Sequence, residues 1–121
     1  MPHLIIEYSQ SLASAQQVES MLDYVHQAVQ KNGLFDASHI KIRAHPVTFY
    51  RVGGTDECFI HAQLRIKPGR TVQQKKSLSD AVLDALKRLA WPARVITVEV
   101  IDMDNESYAK FDSMSVTASA D

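Results

Sequence analysis

Four short segments of the chain predict β-strands, the first from its β-forming composition and the others from apolar residues that recur at every second position. The first spans His3 to Tyr8, the second Ile40 to His45, the third Phe59 to Ile66 and the fourth Val95 to Ile101. A period of two is typical of a strand that buries one face and leaves the other polar. We therefore expect a sheet with one apolar face.

Two longer segments carry apolar residues at helical spacing. The first starts around Ser14 and is stopped by Gly33, and the second follows Thr71, a candidate N-terminal cap, and is closed by Pro92. The polar segment from Asp102 onward is expected to be irregular and to fray at its Ser- and Ala-rich end. The two apolar stripes consist of Val18, Met21, Leu22, Val25 and Val29, and of Leu78, Val82, Ala85, Leu86 and Leu89.

The order strand, helix, strand occurs twice, which predicts an α/β fold made of two βαβ units. Strands joined through a helix pair in parallel with a right-handed crossover, so two such units can share one four-stranded mixed sheet with both helices on one face. We expect a single domain with halves at about residues 1–57 and 58–121. The connection between the halves begins at Pro46 and includes the pair Gly53 and Gly54.

The sheet face turned away from the helices, here called the open sheet face, is predicted to be polar with interspersed isoleucines. One interpretation is a solvated face that carries charged cross-strand pairs. The other is a subunit interface, since sheets with parallel strands are usually covered on both faces and the second cover must then come from another chain. The face comprises His3, Ile5, Glu7, Lys41, Arg43, His45, His61, Gln63, Arg65, Thr97, Glu99 and Ile101.

Length and composition indicate one small globular domain. The chain has 121 residues, of which 45% are hydrophobic and 22% charged, which suits a single core and excludes general disorder. A net charge of -1 provides no overall attraction to nucleic acid or to an anionic membrane. There is a single cysteine, no apolar run long enough to span a bilayer, and no leader-like N-terminus, so we expect a cytoplasmic protein.

Familiar catalytic motifs are absent from the sequence. It contains no GxSxG, HExxH, GxGxxG or P-loop motif, and its five histidines lack the spacing of a metal pair. We therefore expect neither a metal nor an organic cofactor. Cys58 is interpreted as a structural thiol, because its sequence neighbours include no cation that would lower its pKa.

Pro2 is the first candidate for chemistry. A small second residue usually permits removal of the initiator Met1, which would leave a secondary amine at the start of the first strand. Burial or nearby cations lower the pKa of an amine toward neutrality, where general acid–base catalysis is most effective. Proline is also common at this position without any catalytic role.

Three cations are candidates for binding an anion. Lys41 and Arg43 lie on one side of the second strand, and Arg70 lies in the turn before the second helix, whose N-terminus favours an anion. Each charge-assisted hydrogen bond contributes about 1.5–3 kcal/mol, so two arginines could orient a small dicarboxylate. Taken alone, each of these cations is better explained by a surface role.

In combination these residues resemble the 5-carboxymethyl-2-hydroxymuconate delta-isomerase family of the tautomerase superfamily. The resemblance rests on Pro2 before a strand, on the duplicated βαβ pattern, on the segment from Phe59 to Thr71, and on the sequence from Tyr108 to Phe111. It covers most of the chain, whereas single-unit relatives such as 4-oxalocrotonate tautomerase are about half as long.

The resemblance implies a homotrimer that isomerises an unsaturated hydroxy diacid from homoprotocatechuate degradation into its oxo isomer. The deprotonated Pro2 nitrogen would move the proton, and Arg43 and Arg70 would bind carboxylates. Lys41 stands where relatives often have arginine, and its point charge suits bidentate recognition less well. Two alternatives remain: a tautomerase acting on another enol, and a binding protein of the same fold, as macrophage migration inhibitory factor shows is possible.

Overall fold

A computed structural model describes residues 1–114 of the chain. Short 3-10 helices follow the first strand and precede the second, at Gln10–Leu12 and Ala37–His39. The predicted fraying of the Ser- and Ala-rich end falls on residues 115–121, outside the described residues. The main elements are β1 (His3–Ser9), α1 (Ala15–Asn32), β2 (Lys41–Val47), β3 (Phe59–Ile66), α2 (Val72–Arg88) and β4 (Val95–Asp102).

The four strands form one mixed sheet in the order β2-β1-β3-β4. β1 and β2 run parallel and are joined through α1, and β3 and β4 run parallel and are joined through α2. The two halves meet where β1 and β3 pair in antiparallel orientation. This topology confirms the prediction of two βαβ units in one mixed sheet.

Both helices begin where the sequence predicts because each has a capping box. The Ser14 hydroxyl accepts a hydrogen bond from the backbone N–H of Gln17, whose side chain accepts one from the backbone N–H of Ser14. Thr71 and Gln74 make the same pair of bonds at the start of α2. Gly33 ends α1 in the left-handed conformation, with φ of 88°, which glycine adopts without strain.

Several boundaries differ from the prediction by one or two residues: β1 extends to Ser9, β2 begins at Lys41 rather than Ile40, and β4 includes Asp102, which was expected in the irregular segment. β2 continues through Pro46 to Val47, and Pro46 stands opposite Tyr8 of β1. A proline is tolerated there because β2 is an edge strand of the sheet formed by residues 1–114, so only one side of its backbone pairs with a strand of that sheet. α2 ends at Arg88, ahead of Pro92, so the proline lies beyond the end of the helix.

The core lies between the sheet and the two helices. Alternate residues of β1 and β3 are fully buried, and the predicted helical stripes pack against them, with Val18, Leu22 and Leu89 at the margin. Both helices therefore cover the same face, as predicted. The fully buried residues of these elements include Leu4, Ile6, Ile60, Ala62, Leu64, Ile66, Met21, Val25, Val29, Leu78, Val82 and Leu86. Within residues 1–114, no helix has the length and apolar character needed to cross a bilayer.

The strand directions bring distant parts of the chain to one end of the sheet, here called the Pro2 end. The starts of β1 and β2 lie there beside the ends of β3 and β4, since His3 stands opposite Lys41 on one side and Arg65 on the other. Arg65 in turn stands opposite Ile101. These residues define the end of the sheet at which Pro2 and Lys41, two of the predicted site residues, are found.

Candidate active site

Pro2 is buried at the start of β1. Its carbonyl accepts a hydrogen bond from the backbone N–H of Lys41 at 3.0 Å, which ties the beginning of the chain to β2. Met1, which precedes it, is 0% exposed. The Pro2 nitrogen therefore lies in an enclosed environment at the Pro2 end.

Lys41 contacts Pro2 through its backbone and lines a cleft. Its ammonium donates a hydrogen bond to the carbonyl of His39 at 2.6 Å, which holds the side chain at the start of β2. The cleft, here called the tail cleft, has a volume of about 430 Å³ and is open to solvent. It is lined by Lys41, Tyr108, Ala109, Lys110, Phe111, Asp112 and Ser113.

Arg43 lies on the open sheet face, and His3 connects it to the segment after β4. One terminal guanidinium nitrogen of Arg43 is 3.3 Å from Nδ1 of His3. The other ring nitrogen of His3, Nε2, is 3.0 Å from the hydroxyl of Tyr108, and the two rings meet edge to face. Three residues from β1, β2 and the C-terminal segment are thus joined in one chain of polar contacts.

The surroundings of His3 lower the pKa of its imidazole below the ordinary value of 6.5. Burial is the largest cause, because it disfavours the charged ring, and the positive charges of Arg43, Lys41, the chain's terminal amine and Arg65 add to it. The lowered pKa favours the uncharged ring at neutral pH, and Arg43, Lys41 and Arg65 supply positive charge around it.

Arg70 precedes the cap of α2 and contacts the loop that follows α1. Its Nη2 donates a hydrogen bond to the carbonyl of Leu34 at 3.0 Å, and the guanidinium lies over the ring of Phe35, 5.2 Å from the centroid. A guanidinium has five N–H donors, so the bond to Leu34 uses one of them. These contacts orient Arg70 beside the N-terminus of α2.

The predicted site residues are brought together to different degrees. Pro2 contacts Lys41 directly, and Arg43 reaches the same end of the sheet through its contact with His3. Arg70 instead contacts the α1 loop, although it follows β3, whose end pairs with the start of β1. The sequence analysis placed His3 on the open sheet face and assigned it no catalytic or binding role; its position directly after Pro2 was the available signal.

Cys58 lies at the opposite end of the sheet, directly before β3. Its sulfur is 3.6 Å from the hydroxyl of Tyr50 and 3.7 Å from that of Ser11. The hydrogen bond with Tyr50 is the largest cause that lowers the pKa of the thiol, and burial acts in the opposite direction. No cation neighbours Cys58 in the sequence, and the pKa of the thiol is lowered instead by the hydroxyl of Tyr50, a residue outside its immediate sequence neighbours.

Among residues 1–114, no group of three His, Cys, Asp or Glu side chains could hold a metal ion.

Comparison with known proteins places this arrangement in a family. The family model for 5-carboxymethyl-2-hydroxymuconate isomerase matches residues 2–110. The 5-carboxymethyl-2-hydroxymuconate Delta-isomerase of Escherichia coli is 24% identical over 89 residues, which cover 72% of this chain and 71% of that protein.

Solved structures share the fold at low sequence identity. A 5-carboxymethyl-2-hydroxymuconate isomerase from Deinococcus radiodurans R1 superposes with a TM-score of 0.79 at 20% identity, over 93% of this chain and 90% of that chain. A symmetric trimer of fused 4-OT superposes with a TM-score of 0.76 at 17% identity, over 88% and 91% of the two chains. Because the family match runs from Pro2 to Lys110, the chain belongs to the 5-carboxymethyl-2-hydroxymuconate isomerase family and is a cofactor-independent isomerase with the tautomerase fold.

Proposed function

We propose that this isomerase converts 5-carboxymethyl-2-hydroxymuconate, an unsaturated diacid of the 2-hydroxymuconate type that carries an additional carboxymethyl group, into its 2-oxo isomer, with the Pro2 nitrogen as the proton shuttle. The observation that carries the proposal is the burial of Pro2 at the start of β1, in contact with Lys41. The substrate is the one named for the family and for the relative from Escherichia coli.

Removal of Met1 is part of the proposal. In the unprocessed chain Met1 and Pro2 are both buried, so cleavage would leave the secondary amine facing the space that Met1 occupies. Burial disfavours a protonated amine and would lower its pKa toward neutrality. An amine in that state can accept and return a proton at pH 7.

The reaction needs one base and one acid, and a single amine can act as both. The uncharged Pro2 nitrogen takes the proton of the 2-hydroxyl group, and the oxygen electron pair forms the carbonyl as the double bonds shift. The resulting ammonium group then returns the proton to the carbon at the far end of the diene. No oxidant, reductant or metal enters this balance.

The three predicted cations match the charge of the substrate. The muconate part carries a carboxylate at each end, and the carboxymethyl group adds a third. We assign Arg43 and Arg70 to carboxylates and to the charge of the dienolate, with Lys41 as a weaker partner that lines the tail cleft. The contacts of Arg43 with His3, and of Arg70 with Leu34 and Phe35, support this role because they orient both guanidinium groups in advance.

An ultraviolet assay of enol consumption tests the proposed function. Protein that begins at Pro2 is compared on 5-carboxymethyl-2-hydroxymuconate, on 2-hydroxymuconate and on the enol form of phenylpyruvate. We expect kcat/KM to fall in that order, as the number of carboxylates falls. A preference for phenylpyruvate would indicate another tautomerase, and no consumption of any of the three would support a binding protein.

We propose that each subunit is a single domain, with halves at residues 1–57 and 58–121, and that three subunits cover their open sheet faces in a homotrimer. Partly buried Ile5 and Ile101 among the charges of that face support this, as does the likeness to the fused 4-OT trimer.

Sedimentation equilibrium should give about three times the chain mass of 13.5 kDa. Ile5→Glu should yield monomers, whereas Val72→Glu, on an exposed part of α2, should leave the trimer intact. A monomeric wild-type protein would contradict the trimer.

A further inference from the structure

The contact between His3 and Arg43 determines which nitrogen of His3 carries the proton. A guanidinium only donates hydrogen bonds, so Nδ1 of His3, 3.3 Å away, must be the acceptor. In an uncharged imidazole the proton then lies on Nε2. That N–H points to the hydroxyl oxygen of Tyr108 at 3.0 Å, which therefore acts as its acceptor.

We propose that His3 and Tyr108 are positioning residues for Arg43. Tyr108 holds the His3 ring in one tautomer and one orientation, and Nδ1 of His3 in turn holds the Arg43 guanidinium in the direction needed for a substrate carboxylate. This inference rests on the proposed function, because it assigns a contribution to the binding of the same acidic substrate.

Three features of the structure support this assignment. His3 lies in β1 directly after Pro2, so its backbone is held between two neighbouring strands and the ring has a rigid base. Tyr108 belongs to the segment that lines the tail cleft together with Lys41, which places its ring at the border of the proposed site. The edge-to-face contact of the two rings, with centroids 6.0 Å apart, further restricts the orientation of His3.

The state of charge of His3 fits the same role. A second proton on the ring would turn Nδ1 into a donor facing the N–H groups of Arg43. Lys41 from β2 and Arg65 from β3 add positive charge around the ring beside that of Arg43, and they favour its neutral form. The acceptor for Arg43 is thus present at neutral pH.

Removal of the Tyr108 hydroxyl tests the first link. Tyr108→Phe keeps the ring but loses the acceptor for Nε2–H, and we expect KM to rise about three- to tenfold while kcat changes little. Tyr24→Phe, in the groove between α1 and α2 on the helix side of the sheet, is the matched control and should behave as wild type. A fall in kcat at constant KM, or wild-type kinetics in Tyr108→Phe, would overturn the proposal.

Two amide substitutions of His3 test the second link. The side-chain amide of asparagine can place its oxygen near the position of Nδ1, whereas glutamine reaches the position of Nε2. We therefore expect His3→Asn to retain most of the affinity for substrate, and His3→Gln to raise KM about tenfold. Equal kinetics of the two variants would contradict a role for the Nδ1 acceptor.

A double-mutant cycle separates positioning from a general effect on folding. If Tyr108 acts through His3 on Arg43, Tyr108→Phe should have little further effect on kcat/KM in an Arg43→Met background. Additive losses would show that Tyr108 acts independently of Arg43 and would overturn the inference.

Nitrogen NMR of the His3 ring decides the tautomer without reference to activity. We expect a protonated Nε2 and an unprotonated Nδ1 in the wild-type protein at neutral pH, and a ring protonated at Nδ1 would overturn the proposed chain of contacts. If processed wild-type protein consumes no enol, the proposed function fails, while the NMR result still decides whether the chain of contacts exists.

Discussion

Protein that retains Met1 is expected to have a kcat/KM at least about a hundredfold below that of protein that begins at Pro2. In the retained form the Pro2 nitrogen belongs to an amide, which cannot accept the enol proton, and general acid–base catalysis typically contributes on the order of 10²–10⁴ in rate. Cleavable N-terminal fusions that release one form or the other provide both proteins. The measurements are the intact mass of each preparation and its rate of enol consumption.

A structural control is needed because Met1 is itself buried and packs at the Pro2 end. Thermal unfolding of the two preparations should show whether the loss of activity is accompanied by a loss of folding. Pro2→Ala, in processed form, keeps an amine at the same place and should show a smaller loss than the Met1 protein. Equal turnover by pure Met1 protein would disprove the proline mechanism.

Replacing Arg70 with alanine is expected to lower kcat/KM on the order of 10- to 150-fold, chiefly through KM. The range corresponds to the loss of one charge-assisted hydrogen bond of about 1.5–3 kcal/mol to a substrate carboxylate. Arg70→Lys keeps the charge but loses the planar fork, so its kcat/KM should lie between those of the alanine variant and the wild type. Steady-state kinetics on 5-carboxymethyl-2-hydroxymuconate provide the measurement.

The contacts of Arg70 with the α1 loop require a separate control. Since the side chain also binds the Leu34 carbonyl and covers Phe35, its removal should lower the free energy of unfolding, which urea denaturation measures. Lys87→Ala removes an exposed cation from the far end of α2 and should alter neither KM nor stability appreciably. Unchanged KM in both Arg70 variants would remove this residue from the proposed site.

Boundaries that depend on local chemistry agree with the sequence analysis. β3 spans Phe59–Ile66 as predicted, because its apolar alternation is unbroken and turn-forming residues follow it. The starts of both helices agree with the prediction because the side chains of Ser14 and Thr71 accept hydrogen bonds from backbone N–H groups only three residues further along the chain. β2 was predicted too short, because Pro46 normally interrupts a strand, and only its place at the edge of the sheet makes it acceptable.

The family and its reaction class were also accessible from the sequence. Pro2 before a strand and the segment from Phe59 to Thr71 indicated the family, and the family match over residues 2–110 confirms it. The roles of Pro2, Lys41, Arg43 and Arg70 remain predictions, for which the variants described above are the tests.

Periodicity and capping are short-range properties, so the amino-acid sequence by itself determined the elements, their apolar faces and the duplicated βαβ order. Contacts between side chains distant in sequence depend on strand register and on the path of loops. Only the tertiary structure placed His3 beside Tyr108, 105 residues away, or Arg70 against Phe35. No local sequence pattern predicts these contacts, because they depend on how the whole chain packs, and that packing is driven by burial of the entire apolar core.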